Sequence, residues 1–268
     1  MNAPDLSADY ALSKEHIDQF KTNGHVFVKS LASRDEIAFY RKAILEGVER
    51  LNTEKRKMED RDTYGKAFLQ IFNLWRQNDV LRKFVLAKRF AHVAARLMGV
   101  ERVRLYHDQA LFKEAGGGHT PWHQDQYYWP LDTNNTITMW MPLIDITTDM
   151  GIMKFASGTH TLGSITSTEI SDASEDFFNN FVREKGYDIR GETAMNAGDA
   201  TFHAGWTLHN APGNHSRKMR EVMTIIYFAD KTKVLQPEHD HRKKDHEVWL
   251  MGTPPGEYAA SELNPLID

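Results

Sequence analysis

Residues Met219-Arg220-Glu221-Val222-Met223-Thr224-Ile225-Ile226-Tyr227-Phe228 carry the strongest single signal in the chain. Val222, Thr224, Ile226 and Phe228 alternate with Met223, Ile225 and Tyr227, so both faces of an extended strand are apolar or β-branched and both are read as buried. Working outward, weaker alternation recurs at Val103 and Leu105 and at Ile137, Met139 and Met141. Further β signals lie at Ile152–Phe155, Ile189–Met195 and Ala200–His203. Glycines at 116–118, 151, 158, 198 and 213 punctuate these runs as turns. Before residue 100 the texture is helical. Ser33-Arg34-Asp35-Glu36 has the form of a capping box ahead of Ile37, Tyr40, Ile44, Val48 and Leu51 at helical spacing. Asn78-Asp79 is read as the start of one helix through Leu81, Phe84, Val85 and Val93 to a stop at Gly99. Ser174–Gly186 is read as a helix inserted between two groups of strands, with Phe177, Phe178, Phe181 and Val182 on its apolar side. Helices first and many short strands afterwards predict a mainly β fold, a jelly roll (double-stranded β-helix) with flanking N-terminal helices. The expectation is one domain over 268 residues: a helical scaffold over about 14–99, a jelly-roll core over about 101–230 and a tail over 231–268. The polar tail stretch HDHRKKDHEVW (239–249) is read as a solvated surface loop, metal binding by its histidines being the less favoured reading.

Composition narrows the function. A formal net charge of −4, without a long run of Lys and Arg, gives no broad attraction for nucleic acid. No stretch of about 18 apolar residues suggests a membrane span, and the first ten residues lack the basic and apolar regions of an export signal. The expectation is a soluble cytoplasmic protein acting on a small molecule. The chain contains no cysteine, which excludes disulfides, zinc ribbons, iron–sulfur clusters and thiol nucleophiles. Any metal must be held by His, Asp or Glu.

Two segments concentrate such residues. In Thr120-Pro121-Trp122-His123-Gln124-Asp125-Gln126-Tyr127-Tyr128-Trp129, an extended backbone would turn His123 and Asp125 to the same side. A His-x-Asp pair alone is weak evidence, since about one arises by chance in a chain with 13 histidines. The second segment, from Gly198-Asp199 to Asn214, offers His203 and His209 as a third ligand. Two histidines and a carboxylate on one face of an octahedral ion leave three positions open, as in non-haem Fe(II) oxygenases. A 2-oxo dicarboxylate bound there needs a buried cation for its far carboxylate, a role suited to arginine. Arg220, which opens the apolar strand, is preferred over Arg217 in the loop Ser216-Arg217-Lys218.

Taken together, Trp122-His123-Gln124-Asp125, Gly151 with Ser157-Gly158-Thr159-His160, and Gly198-Asp199 through His209 to Arg220 resemble the phytanoyl-CoA dioxygenase family of Fe(II)- and 2-oxoglutarate-dependent oxygenases, over roughly residues 15–230. The resemblance selects His209 over His203. It implies Fe(II) held by His123, Asp125 and His209, with 2-oxoglutarate and O2 as co-substrates. Arg220 falls where the family binds the distal carboxylate, and Gln109 and Trp140 where it makes further contacts to 2-oxoglutarate. Met150, Ala156 and Ala211 depart from the family pattern. The implied activity is hydroxylation of an unactivated C–H bond of a small organic substrate, with release of succinate and CO2. Tyr127, Tyr128, Trp129 and Trp206 are candidate lining for the substrate pocket. The rival expectation is a jelly-roll metal protein with redox-neutral chemistry or ligand binding alone.

Overall fold

A computed structural model describes residues 3–166 and 171–267. The first part of the chain runs α1 (Lys14–Asn23), β1 (His25–Val28), α2 (Arg34–Leu51), α3 (Thr63–Ala67), β2 (Leu69–Phe72), α4 (Asp79–Val85) and α5 (Lys88–Met98). The strands follow as β3 (Val103–Phe112), β4 (Thr120–His123), β5 (Thr136–Pro142), β6 (Ile146–Thr147) and β7 (Lys154–Ala156). Next come α6 (Asp172–Lys185), β8 (Ile189–Arg190), β9 (Ala194–Met195), β10 (Ala200–Ala204), β11 (His209–Ala211) and β12 (Val222–Ala229). The chain closes with α7 (Asp240–Val248) and β13 (Leu266–Ile267). The fold is a jelly roll. A seven-stranded antiparallel sheet, ordered β1-β10-β5-β12-β3-β13 with β2 also on β3, faces a four-stranded sheet ordered β4-β11-β7-β8.

The capping box at Ser33 forms as read: its hydroxyl accepts from the Glu36 N–H, and the Glu36 carboxylate accepts from the Ser33 N–H. The helix behind it buries Ile37, Tyr40, Ile44 and Val48. The helix expected from Asn78 to Gly99 is two helices, because Ala87 is extended (φ −61°, ψ 122°). Breaking there lets Phe84 and Phe90 meet edge to face with ring centroids 5.5 Å apart, both fully buried. Each such ring contributes about 1.5–3 kcal/mol when removed from water, more than the helical bonds lost at one break.

The helical layer covers one face of the large sheet, where Ile137, Met139, Met141, Phe202, Met223, Ile225 and Tyr227 join it in one core. Strand β12, central in that sheet, is buried on both faces as its sequence requires. The other face carries two rows of directly opposed residues. One is Phe27, Thr201, Trp140, Thr224, Gln109 and Phe72; the other is His25, His203, Thr138, Ile226 and His107. Opposed residues in antiparallel strands share a face, so both rows look toward the small sheet.

Two further expectations change. Ile189–Met195 is not one strand: β8 joins the small sheet and β9 pairs with β6, because the backbone at Gly191 presses against Met153, leaving only 2.6 Å for any added Cβ. The tail is more than a surface loop. His239 caps α7 by accepting from the Arg242 N–H, and β13 returns to pair with Val103 and Arg104, the residues that β12 pairs on their other side. No helix among the described residues is long and apolar enough to cross a membrane.

Candidate metal centre and its cavity

His123 ends β4 and His209 begins β11, directly opposite each other in the small sheet with ring centroids 4.1 Å apart. Each Nδ1 lies against a carbonyl two residues back in the chain, His123 on Pro121 at 2.8 Å and His209 on Thr207 at 2.9 Å. A carbonyl only accepts, so each Nδ1 carries the hydrogen and each Nε2 keeps a lone pair. Both Nε2 atoms turn to Asp125 Oδ1, at 3.5 and 3.7 Å. One ligand atom from each of His123, Asp125 and His209 lies within 4.8 Å of the others, close enough to share one metal ion.

Asp125 reaches this place by a different route from the extended pairing expected. The strand stops at His123, and Asp125 opens a 3-10 turn, Asp125–Tyr127. Its aim comes from the large sheet: Thr138 Oγ1 donates to Oδ2 at 3.0 Å and His203 Nε2 contacts the same oxygen at 3.2 Å. Oδ1 is thereby left to the histidine pair. His203 and His209 do not sit on one strand, since the chain turns between β10 and β11 and each belongs to a different sheet. His203 is therefore a partner of the carboxylate, 1% exposed, with its Nδ1 unpartnered. Sequence reading misses Thr138, although its signal is present: where Ile137, Met139 and Met141 face the helices, Thr138 and Trp140 must face the site.

The protonation state suits a cation. Burial would raise the Asp125 carboxyl, but the electrostatic pull of the histidines around it, His209 first and then His123 and His203, holds it well below the usual range. Burial, then the charges of His123 and His203, push His209 well below the ordinary imidazole value. An ionised carboxylate beside a neutral imidazole is the form that binds a divalent metal without first releasing protons.

The three residues line a cavity of about 620 Å³. A second hollow of about 650 Å³, between residues 52–56 and 65–71, holds no grouping of metal-binding side chains among the described residues. Arg220, Gln109 and Trp140 all line the first cavity. Arg220 is 2% exposed and sits over the Trp140 ring at 5.3 Å. One Nη donates to the Gly151 carbonyl, Nε has no partner, and no carboxylate pairs with this guanidinium among the described residues. Gly151 permits this approach: at φ 79° its Cα lies so near Pro212 that a Cβ would sit 2.3 Å from that carbonyl. Burial pushes Arg220 down to about 9, so it remains cationic at neutral pH. Burial and the charge of Arg220 bring Lys113 down to about 6. A buried guanidinium lacking a counter-charge is costly unless an anion joins it, and a carboxylate of 2-oxoglutarate fits that need. Arg217 is exposed.

The Ser157–His160 stretch works at one remove. Thr159 Oγ1 accepts from the Leu208 N–H at 3.0 Å, and the Ala156 N–H donates to Leu208 at 2.9 Å, fixing the strand that presents His209. Of the aromatic residues expected in the pocket, Tyr128 and Trp129 line it. Tyr127 instead stacks on His239 with centroids 4.5 Å apart, and the Trp206 indole donates to Asn134 at 2.9 Å, away from the cavity. The sequence reading also misses His241, Lys244, Asp245, Val248 and Trp249, which α7 and the residue after it bring to the wall.

Relatives share this architecture. The carbocyclase SnoK from nogalamycin biosynthesis, described as non-haem and alpha-ketoglutarate-dependent, superposes with a TM-score of 0.78 at 24% identity, over 98% of this chain and 100% of its own. EctD from S. alaskensis, seen with 2-oxoglutarate and 5-hydroxyectoine, gives 0.70 at 18% identity over 90% and 86%. A probable alpha-ketoglutarate-dependent hypophosphite dioxygenase of Stutzerimonas stutzeri is 24% identical over 232 residues, 81% of this chain and 77% of that protein. The family model for phytanoyl-CoA dioxygenase matches residues 20–222, and the chain belongs to that family of iron- and 2-oxoglutarate-dependent dioxygenases.

Proposed function

We propose that His123, Asp125 and His209 hold Fe(II), that Arg220 pairs with the distal carboxylate of 2-oxoglutarate, and that the enzyme hydroxylates an unactivated C–H bond of a small organic molecule. The observation that carries this reading is the presence, in one cavity, of a three-residue metal-binding group and a buried arginine without a counter-charge. When bound, the iron and 2-oxoglutarate would supply the oxidising power, with succinate and CO2 as co-products.

The chain's own residues position and shield. Thr138 and His203 occupy Asp125 Oδ2, which favours a one-oxygen ligand through Oδ1 and keeps neighbouring positions free. Carbonyl bonds at both Nδ1 atoms fix the imidazole planes. Arg220 over Trp140, with Gln109 and Thr224 in the same row, orients the dicarboxylate. The rows of the large sheet and the rings outside them exclude water, which strengthens each electrostatic contact within. Relatives described as a carbocyclase, an epimerase and a hypophosphite dioxygenase show that this fold accommodates different outcomes. Asp125 supplies a carboxylate where halogen chemistry would need the space vacant, which favours oxygenation over halogenation.

The test is anaerobic addition of Fe(II) and 2-oxoglutarate to metal-free protein. A visible metal-to-keto-acid charge-transfer band is expected, absent in His209→Ala and weakened in Arg220→Met. No band in the wild type, with tight binding of another divalent metal, would transfer support to the redox-neutral reading.

A further inference from the structure

The cavity changes character along its length. Arg220 lies over Trp140, and Thr224 and Gln109 follow Trp140 in one row of the large sheet. From Phe72, which ends that row next to Gln109, the lining continues as a group of rings with His107, Tyr128, Trp129 and Trp249. Three of these rings are packed on one another: Phe72 and Trp249 with centroids 4.7 Å apart, His107 and Trp249 at 4.8 Å, Phe72 and His107 at 5.3 Å. Burial pushes His107 down to about 3, so it is a neutral ring at physiological pH. Rings already held by each other lose little freedom when a ligand stacks on them.

One acidic side chain stands in this outer half. Among the described residues, Asp245 is the only acid lining the cavity besides Asp125. The buried Tyr106 hydroxyl donates to its Oδ2 at 2.9 Å, which pins the carboxyl to the wall. A carboxylate accepts up to about four hydrogen bonds, so capacity remains for a ligand. Burial pushes Asp245 up to about 7 against the hydrogen bonds from Tyr106 and Trp249, and another donor would relieve that cost. Lys244, the neighbouring charge on the lining, is exposed.

We propose that the outer half of the cavity is a recognition subsite for a flat, ring-bearing organic molecule, neutral or cationic, that stacks on the Phe72–His107–Trp249 wall and donates a hydroxyl or amine hydrogen to Asp245. This names the substrate class for the oxygenase reading and rests on it. A small inorganic anion such as hypophosphite, named for the Stutzerimonas relative, would leave the rings uncovered and meet the carboxylate as a like charge. A linear alkyl chain would cover the rings with poorer contact and offer no flat face.

Equilibrium dialysis at pH 8, where Asp245 is ionised, tests this on the anaerobic protein loaded with Fe(II) and 2-oxoglutarate. The probes are 2-naphthol, naphthalene-2-sulfonate, 1-octanol and hypophosphite. 2-Naphthol is expected to occupy one saturable site about tenfold or more tighter than the sulfonate or 1-octanol, as unfavourable charge placement and lost stacking dictate. Hypophosphite should not displace it. Asp245→Asn, which can still accept from Tyr106, should bring the two naphthalene probes to within about threefold of each other, and Trp249→Leu should weaken both about tenfold. Equal retention of all four probes, displacement by hypophosphite, or a naphthol preference untouched by both variants would overturn the subsite. Melting curves report whether the variants fold, and if neither does, the wild-type preference for naphthol over sulfonate decides alone. The charge-transfer band, recorded on the same samples, reports the oxygenase reading separately: its absence counts against iron and 2-oxoglutarate, whereas probe selectivity counts only for or against the subsite.

Discussion

The two ends of the cavity are built by different means. At the inner end Gln109, Thr224 and Trp140 stand in one row of the large sheet, and their spacing is dictated by strand register. At the outer end Phe72 and His107 still stand on the large sheet, but the rest of the wall comes from the turn after His123, and from α7 and the residue after it, both outside the family-matched residues 20–222. Register tolerates little variation, since a slip of one residue turns every side chain to the other face. A helix hung between loops can change its sequence without that penalty. On the proposed reading, the residues that would hold the dicarboxylate stand on the rigid sheet, and the adaptable helix adds Asp245 and Trp249 to the side that would meet the substrate.

Substitutions can break or sharpen this contrast. The largest effect is expected at the inner centre: His209→Ala should abolish Fe(II) binding, measured by metal content after anaerobic loading and desalting, and retained stoichiometric iron would remove His209 from the ligand set. Next, Arg220→Met should cost about 2–5 kcal/mol in 2-oxoglutarate affinity, the range for removing one partner of a buried charge pair, while iron binding persists. A KM for 2-oxoglutarate equal to wild type would place the dicarboxylate elsewhere. Third, Thr138→Val or His203→Phe should weaken metal affinity by about 10–100-fold, as is usual when a group that orients a ligand is lost. Competition with a metallochromic chelator reads that change, and an unchanged affinity would show that Asp125 is aimed without them.

The smallest effect concerns stability away from the cavity. Asp108 is fully buried beneath the turn at Leu74, and burial pushes its carboxyl up to about 7 despite backbone hydrogen bonds from Leu74 and Trp75. Because its folded value exceeds its ordinary value of 3.8, the folded chain holds an extra proton across that window. Its contribution to stability therefore falls as pH rises from about 4 to about 7. Asp108→Asn should flatten this part of the profile, with Tm shifting by about 2–4 °C per kcal/mol for a chain of this size. Parallel wild-type and variant profiles from pH 4.5 to 7.5 would contradict the assignment.

Much of the inner end is legible in the order of the amino acids. Strict alternation from Val222 to Phe228 marks a central strand, and the His123, Asp125 and His209 grouping follows once the family pattern chooses between the two distal histidines. The local geometry is less legible than the grouping. Extended spacing puts Asp125 on one strand with His123, yet it opens a turn and is aimed by Thr138 and His203 from two strands of the opposite sheet. The break at Ala87 is hidden because helical periodicity continues across it, and only the packing of Phe84 on Phe90 reveals the cause. The outer end is nearly illegible. HDHRKKDHEVW is polar enough to suggest a solvated loop, but His239 caps it as a helix, and Asp245 and Trp249 turn inward through contacts with Tyr106 and His107. Composition reports the solvated side of such a segment and says little about the few residues that turn the other way.

Strands β12 and β13 flank the same two residues of β3, Val103 and Arg104. The segment between them, 230–265, thus leaves and re-enters the sheet at points about 10 Å apart, two strand spacings. In engineering terms it is a cassette with fixed sockets. Exchanging it among relatives would present new surfaces to the cavity mouth while the large sheet keeps its register and the small sheet that carries His123 and His209 is left untouched, so substrate range could be recombined as a single part.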